Sequence, residues 1–418
     1  MIQIENMDVL EWCKNYKGEK FHALLCDPPY HLTSITDRFG KEGAAPAQFG
    51  SDGVFARASK GFLGTEWDRG DTAFRSETWA ALSEHLLPGA FIVAFSGSRG
   101  WHRMACAMED AGLIMHTSVF GWCNLAGFPK ATRVKCDSRF EEHRYGGQAI
   151  KPAIEPILIF QKPYEGRPLD CITSTGAGAL NIGAARIGTE KLTAHGGGSG
   201  SSQSMSGYLK PMEKGDSEHT GRWPANFVLD ESGAELLDAQ SGTIVARAGN
   251  RGLQPTGQHG APPNLKDGTD TVRGHSDVGG ASRMFHIANW NAEAQERIDN
   301  ADAIKYCPKT STVERNAGLN EHNIHPCLKP LALCKWLASL LLPPKEYESR
   351  LLVPFSGSGS EIIGAHLAGW NNITGIEQSA EYVQIAEKRV KYWTMNAGLF
   401  DELNSTDEPE TEVQASLF

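Results

Sequence analysis

No apolar run in this 418-residue chain approaches the roughly 18 residues of a membrane span, and the opening Met1-Ile2-Gln3-Ile4-Glu5 lacks the basic and apolar regions of a signal peptide. A soluble, cytoplasmic protein with no membrane partner is the expectation. Paired cysteines are missing too: there are nine, an odd number, with no Cys-x-x-Cys spacing. A disulfide framework and a structural zinc site are therefore not expected, and the thiols read as free in a reducing compartment. Nor is there a basic excess. The formal charge is −10, and Asp401, Glu402, Asp407, Glu408, Glu410 and Glu412 supply −6 of it, with no basic residue beyond Lys391. Such an acidic end repels phosphate and reads as a solvated tail. The best basic stretch spans 128–151, where Lys130, Arg133, Lys135, Arg139, Arg144 and Lys151 meet only Asp137, Glu141 and Glu142. It is either a contact to a phosphate backbone or a solvated loop of ordinary surface charge.

What the chain does contain is an alternation of strands and helices. Residues 23–26, 91–95, 117–122 and 156–160 read as strands of a parallel α/β sheet, with helix-like spacing over 72–87 and 100–111 between them. Leu86-Leu87-Pro88-Gly89 reads as a helix stop before the next strand. From 166 to 320 the texture changes: Gly, Ser, Asn and His rise, and His195-Gly196-Gly197-Gly198-Ser199-Gly200 is of low complexity. A stretch so long and irregular is more often a lid or recognition insert than filler. Its 15 Lys plus Arg stand against 17 Asp plus Glu, so any contact with nucleic acid rests on individual residues rather than bulk charge. The sheet pattern then returns, with helices over 329–342, 360–370 and 379–391 and strands over 349–355 and 372–377. The expected parts are 1–165, an insert at 166–320, a second sheet half at 321–396 and the tail at 397–418.

Three constellations carry chemistry. The first is Asp27-Pro28-Pro29-Tyr30, directly after the apolar Ala23-Leu24-Leu25-Cys26. A strand ending this way sets a carboxylate, a proline carbonyl and a π-face together at the carboxyl edge of a sheet, in a loop that two prolines stiffen. That set can grip a planar base carrying an NH2. The second is Leu351-Leu352-Val353 running into Pro354-Phe355-Ser356-Gly357-Ser358-Gly359-Ser360. A glycine turn between strand and helix lets a ligand approach the backbone, and Glu377, at the end of the next strand, can accept both hydroxyls of a ribose. The turn lacks the third glycine of a dinucleotide fingerprint and the Gly-Lys-Ser/Thr of a P-loop, which favours S-adenosylmethionine over NAD and speaks against ATP hydrolysis. The third is His325-Pro326-Cys327-Leu328-Lys329-Pro330 before a helix, from which Lys329 can reach a carboxylate.

Together these pieces resemble the permuted group of DNA amino-methyltransferases, in which the acceptor loop precedes the cofactor motif. Phage-type members are similar also over Gly127-Phe128-Pro129-Lys130, Pro152-Ala153-Ile154-Glu155-Pro156-Ile157-Leu158, Gly178-Ala179-Leu180-Asn181-Ile182, Arg222-Trp223-Pro224-Ala225-Asn226 and Ala281-Ser282-Arg283, so the resemblance spans nearly everything but the tail. It implies a Rossmann-like, circularly permuted methyltransferase fold with a large loop-rich insert, duplex DNA as substrate, S-adenosylmethionine as methyl donor and a setting such as restriction–modification. It implies methyl transfer to the N6 amine of a flipped-out adenine, with Asp27 and Pro28 accepting the amine's N–H bonds and Tyr30 stacking on the base. Asp at 27 points to adenine, since cytosine-amine members usually carry Ser there. Cofactor contacts would come from Asp8, Lys329, the run Phe355, Ser356, Gly357, Ser358, Gly359 and Ser360, and Glu377. Asp8 reads equally as a helix cap. Trp67-Asp68 and Trp122-Cys123-Asn124 read as pocket lining or as core. DNA contacts would come from Lys130, Arg133 and Lys135. Two positions depart from the family: Val353 stands where Asp is usual and Cys327 where Thr is usual. The alternatives are N4-cytosine methylation, methylation of an RNA amine, and a DNA-binding decoy with weakened turnover. Finally, Gln414-Ala415-Ser416-Leu417-Phe418 resembles peptides that dock on the bacterial sliding clamp, through Gln414, Leu417 and Phe418.

Overall fold

The computed structural model describes residues 1–30, 71–98, 100–116, 119–123, 130–134, 137–194, 217–245, 249–250, 272–273, 278–279, 281–288, 310, 312–319, 322–325 and 328–396. Residues 67–68, Asn124, Lys135, Cys327 and the tail with Gln414, Leu417 and Phe418 lie outside them. The strands that matter are β1 (Ile2–Asn6), β2 (Phe21–Cys26), β3 (Leu86–Phe95), β4 (Ile114–Met115), β5 (Phe120–Cys123), β6 (Lys130–Arg133), β7 (Arg144–Gln148), β8 (Ile154–Gln161), β9 (Ile187–Ala194), β10 (Ser217–Arg222), β11 (Phe227–Asp230), β12 (His286–Ala288), β13 (Arg350–Pro354) and β14 (Asn372–Glu377). The helices are α1 (Val9–Asn15), α2 (Ser76–Glu84), α3 (Trp101–Asp110), α4 (Pro168–Thr175), α5 (Glu231–Ser241), α6 (Thr312–Asn316), α7 (Leu331–Leu341), α8 (Ser360–Ala368) and α9 (Ala380–Met395).

One large sheet organises the chain, in the order β1-β14-β13-β2-β3-β8-β5-β11-β12, with β4 also pairing β8. Every neighbouring pair is parallel except those of β8, which runs against β3, β4 and β5. The expectation of a wholly parallel sheet is corrected at this one strand. A connection of a dozen or more residues suits a parallel crossover, and none is needed where the chain returns along β8. The central strand explains the architecture. All six residues of β2 are buried. Ala23 and Leu25 pack into one apolar cluster with α7 and α8, while Phe21, Leu24 and Cys26 pack into another with α1, α2 and α3. A strand covered on both faces reads as a continuous apolar run, as this one does. The result is a mixed α/β, Rossmann-like sheet with helices on both faces.

Two local readings shift. The helix expected over 72–87 is a 3-10 turn at Thr72–Phe74 followed by α2, broken where Arg75 turns extended. Pro88-Gly89 is not a stop but lies inside β3, where Gly89 takes φ +79° and the register with β2 slips. Proline sits in a strand where the ladder is irregular. Residues beyond 165 also enter the sheet, since β11 and β12 extend its far side. Among the described residues no helix is long and apolar enough to cross a membrane.

Candidate active site

Because all strands but β8 point the same way, the ends of β1, β2, β3, β13 and β14 share one edge of the sheet. Crevices for ligands in open α/β sheets form at such carboxyl ends. Asp27-Pro28-Pro29-Tyr30 leaves β2 here, with Pro28 buried and Asp27 half-buried. The ammonium of Lys329, whose side chain is 4% exposed, donates to Asp27 Oδ2. It also lies 5.3 Å from the centre of the Tyr30 ring and 4.8 Å from that of Phe95. Asp27 Oδ1 is buried and makes no hydrogen bond among the described residues. The Tyr30 ring is seated against Gly97, where an added Cβ would come within 3.1 Å of it. The sequence offered Lys329 as a partner for a cofactor carboxylate; in the structure its ammonium engages Asp27, 302 positions away.

The glycine turn follows β13. Phe355 has φ +59°, a left-handed conformation that a bulky residue adopts only under constraint. The N–H of Ser356 bonds Ile376 O at 2.9 Å, and that of Gly359 bonds Ser356 O at 2.8 Å. Glu377 braces the turn from β14: Oε2 accepts from the Gly357 N–H at 2.9 Å and Oε1 from the Ser379 N–H at 2.8 Å. A carboxylate has about four acceptor sites, so capacity for ribose hydroxyls remains. Gly357, at φ +48°, must be glycine on a second ground, because a Cβ would meet His325 Nε2 at 2.8 Å. The His325 ring in turn packs edge-on against Tyr382 at 4.6 Å between centres. The third constellation thus lies between the other two, with His325 on the turn and Lys329 on Asp27. Ser356 Oγ is buried without a hydrogen bond among the described residues.

Asp8 caps α1, Oδ1 accepting from the N–H of Leu10 at 2.9 Å and of Glu11 at 3.1 Å. The cap reading of Asp8 therefore holds. The cap is compatible with the other reading, since Met7 N–H bonds Glu377 O at 3.1 Å and sets Asp8 beside the end of β14. Trp122 is 1% exposed and belongs to the core. Val353 is fully buried in the apolar cluster of α7 and α8.

Several charged groups escaped sequence reasoning. Arg389 of α9 is completely buried and donates to Ser358 O, to Ser358 Oγ at 3.3 Å and to Ser360 Oγ at 3.4 Å, so it holds the turn from beneath. Burial pulls its pKa down to about 10, against the carboxylates of Glu314 and Glu361. Glu361, in the first turn of α8, is pushed up to about 7 by burial and by Asp27, against Lys329 and Arg389. Burial likewise pushes Glu314 up to about 7, although its Oε1 accepts the Leu331 N–H at 2.8 Å. Glu377 is raised by burial, less so for its backbone hydrogen bonds. The thiols of Cys26 and Cys334 are raised well above the ordinary range by burial and are unsuited to attack. Nothing in the sequence marked Glu361, because its burial and its interaction with Asp27 arise only from packing.

The basic stretch forms an antiparallel hairpin, β6 with β7, where Arg133 lies opposite Arg144 and is exposed. Lys130 stands at its start. Arg139 is committed to Asp137 at 2.6 Å, and Arg144 turns onto its own loop carbonyls. The hairpin joins the end of β5 to the start of β8, so it rises from the same sheet edge as Asp27.

A model of the DNA methylase family matches residues 21–388, from β2 through most of α9, and the chain belongs to that family. Among solved structures it is similar to M1.HpyAVI in complex with SAM, at 16% identity and a TM-score of 0.40, covering 93% of this chain and 99% of that one. It is similar also to the cytosine-N4-specific PvuII DNA methyltransferase, at 11% identity and a TM-score of 0.39, covering 96% and 90%. No curated protein sequence matches the chain.

Proposed function

We propose that this DNA methylase moves a methyl group from S-adenosylmethionine to the exocyclic N6 amine of adenine in duplex DNA. The observation that carries the reading is Asp27 Oδ1, a buried carboxylate oxygen without a hydrogen bond among the described residues, at the sheet edge beside a proline carbonyl. Buried acceptors are ordinarily paired, and an N–H donor from a substrate would complete this one.

The residues at the glycine turn fit the cofactor. Left-handed glycines admit a ligand to the backbone, Glu377 has acceptor capacity for a ribose, and Ser356 Oγ is a buried polar atom awaiting a partner. When bound, S-adenosylmethionine supplies a methyl group activated by its sulfonium, so no nucleophilic side chain is required. Asp27 Oδ1 and the Pro28 carbonyl accept the amine's two N–H bonds and draw the nitrogen toward tetrahedral geometry, which frees its lone pair as positive charge develops. Tyr30 stacks on the base, which must leave the duplex to reach this depth. Arg133 and Lys130 contact the phosphate backbone from the edge that carries Asp27, and Lys135 adds a third cation to that stretch of sequence. Residues 166–320 read the sequence, and the order of acceptor loop before glycine turn is the permuted arrangement.

The amine of cytosine offers the same two donors, so the target base is tested directly. Plasmid DNA is incubated with the protein and labelled cofactor, and the nucleosides are separated by mass spectrometry. Label in N6-methyladenine is expected; label only in methylcytosine sinks the adenine assignment, and activity confined to RNA sinks the DNA one. For the tail, capture on a purified sliding clamp is expected to fall with Leu417→Ala and Phe418→Ala, and equal retention removes the docking reading.

A further inference from the structure

We infer that Lys329 is a positioning residue of the methyl-acceptor site, holding one oxygen of Asp27 so that the other is presented to the substrate amine. This rests on the amine-methylation reading above and adds a role to a lysine that the sequence assigned to the cofactor. The argument begins with acceptor counting. A free carboxylate rotates about its Cα–Cβ and Cβ–Cγ bonds and offers either oxygen; one that engages a fixed cation offers only the remaining oxygen in a fixed direction. Here Nζ of Lys329 takes Oδ2 of Asp27, and Oδ1 is the buried acceptor that makes no hydrogen bond among the described residues.

The cation is itself immobilised. Its side chain is 4% exposed, and the Tyr30 and Phe95 rings approach Nζ at 5.3 and 4.8 Å. Proline at 330 caps α7, so the backbone that carries Lys329 is tied to a helix buried on most of its surface. Tyr30, the residue that would stack on the base, is thus linked through one ammonium to the carboxylate that would bind the amine. Among the described residues, the charged groups that act on that ammonium include Asp27 after β2 and Glu361 on α8, and Arg389 of α9 also acts on Glu361. An aimed acceptor costs no reorganisation as charge develops on the nitrogen, and loss of one preorganised partner typically lowers turnover by about 10²–10³. A lysine committed to the cofactor would have a different signature, a loss of cofactor affinity.

The test uses the full chain, with S-adenosylhomocysteine as binding probe and plasmid DNA as methyl acceptor. Lys329→Met is expected to lower kcat by about 100-fold, with the KM for cofactor and the dissociation constant of the probe changed by less than about threefold. In an Asp27→Asn background the same substitution is expected to change the rate by less than about threefold, since no carboxylate is left to aim; coupling of this kind is what a double-mutant cycle isolates. Lys329→Arg keeps the charge while moving the donor atoms, and is expected to fold, bind the probe normally and recover part of the rate. If Lys329→Met does not fold, Lys329→Arg decides: normal turnover with weakened probe binding overturns the inference. So do a Lys329→Met variant that loses probe affinity in proportion to rate and two substitutions whose effects multiply independently. A wild-type protein that methylates no exocyclic amine defeats the underlying reading instead, whatever the lysine variants do.

Discussion

Half-buried Asp27 and buried Glu361 are two acids within electrostatic reach of each other, and Lys329 acts on both. Asp27→Asn keeps an acceptor oxygen but loses the charge that stabilises a developing aminium. It should cut methyl transfer at least about 100-fold and leave the affinity for S-adenosylhomocysteine near wild type; titration calorimetry beside a radiolabel assay measures both. Glu361 gives a pH signature. Its folded pKa lies near 7 against an ordinary 4.5, so the fold prefers the neutral acid. The penalty for ionising it is absent below about 4.5, grows as pH rises to about 7 and is constant above, on the order of 3 kcal/mol. Glu361→Gln mimics the neutral acid. Its melting temperature should match wild type near pH 4.5 and exceed it progressively up to pH 7; a pH-independent difference, followed by scanning calorimetry from pH 4.5 to 8, contradicts the assignment. The acceptor loop was legible because its four residues are contiguous and end an apolar strand. The ion pair of Asp27 with Lys329 was not, since no local pattern links positions 302 apart.

Elements explain what pattern reading caught and missed. Strands β13 and β14 and the helix after each were readable because apolar runs, a glycine turn and an acid at βαβ spacing all agree. The direction of β8 was not, because a strand's side chains alternate identically whichever way it runs. Nor could α9 announce its role: Arg389 sits in an amphipathic helix of ordinary composition, and only packing shows that it reaches back to Ser358 and Ser360. Removing this buried cation altogether would leave the turn without its donors, so the informative change is Arg389→Lys. It keeps the charge but loses the planar fork whose Nη1 serves both serines while Nη2 donates to Glu314 O at 3.4 Å. Affinity for S-adenosylhomocysteine should fall about tenfold, or ~1.4 kcal/mol, with the melting temperature lowered by a few degrees. Unchanged affinity would separate α9 from the turn. Gly357→Ala should act on the same loop more severely, since it combines a left-handed φ with a collision against His325.

At the scale of the molecule, residues 166–320 read as a recognition insert, and their described parts are built into the body. The N–H of Asn181 bonds Leu340 O at 2.7 Å, and its side chain reaches Leu342 O at 3.4 Å. Trp336 donates from its indole to Ala185 O at 3.0 Å and meets Phe120 edge-on at 5.5 Å. Beyond these, β11 pairs β5 on one side and β12 on the other. The texture of the segment concealed this, because short apolar islands such as Phe227-Val228-Leu229 carry too little periodicity to name their partner strand. Removing 166–320 would strip β5 of its parallel neighbour and uncover Phe120 of β5 together with Trp336 and Leu340 of α7. An edge strand left unpaired over an exposed apolar patch is an aggregation site. The shortened chain is therefore expected to lose a cooperative thermal transition and to bind an apolar dye, rather than to persist as a folded enzyme that merely lacks sequence preference. A shortened chain that melts cooperatively and still binds S-adenosylhomocysteine would show that the segment is a true module, and that β11 and β12 borrow the sheet without supporting it.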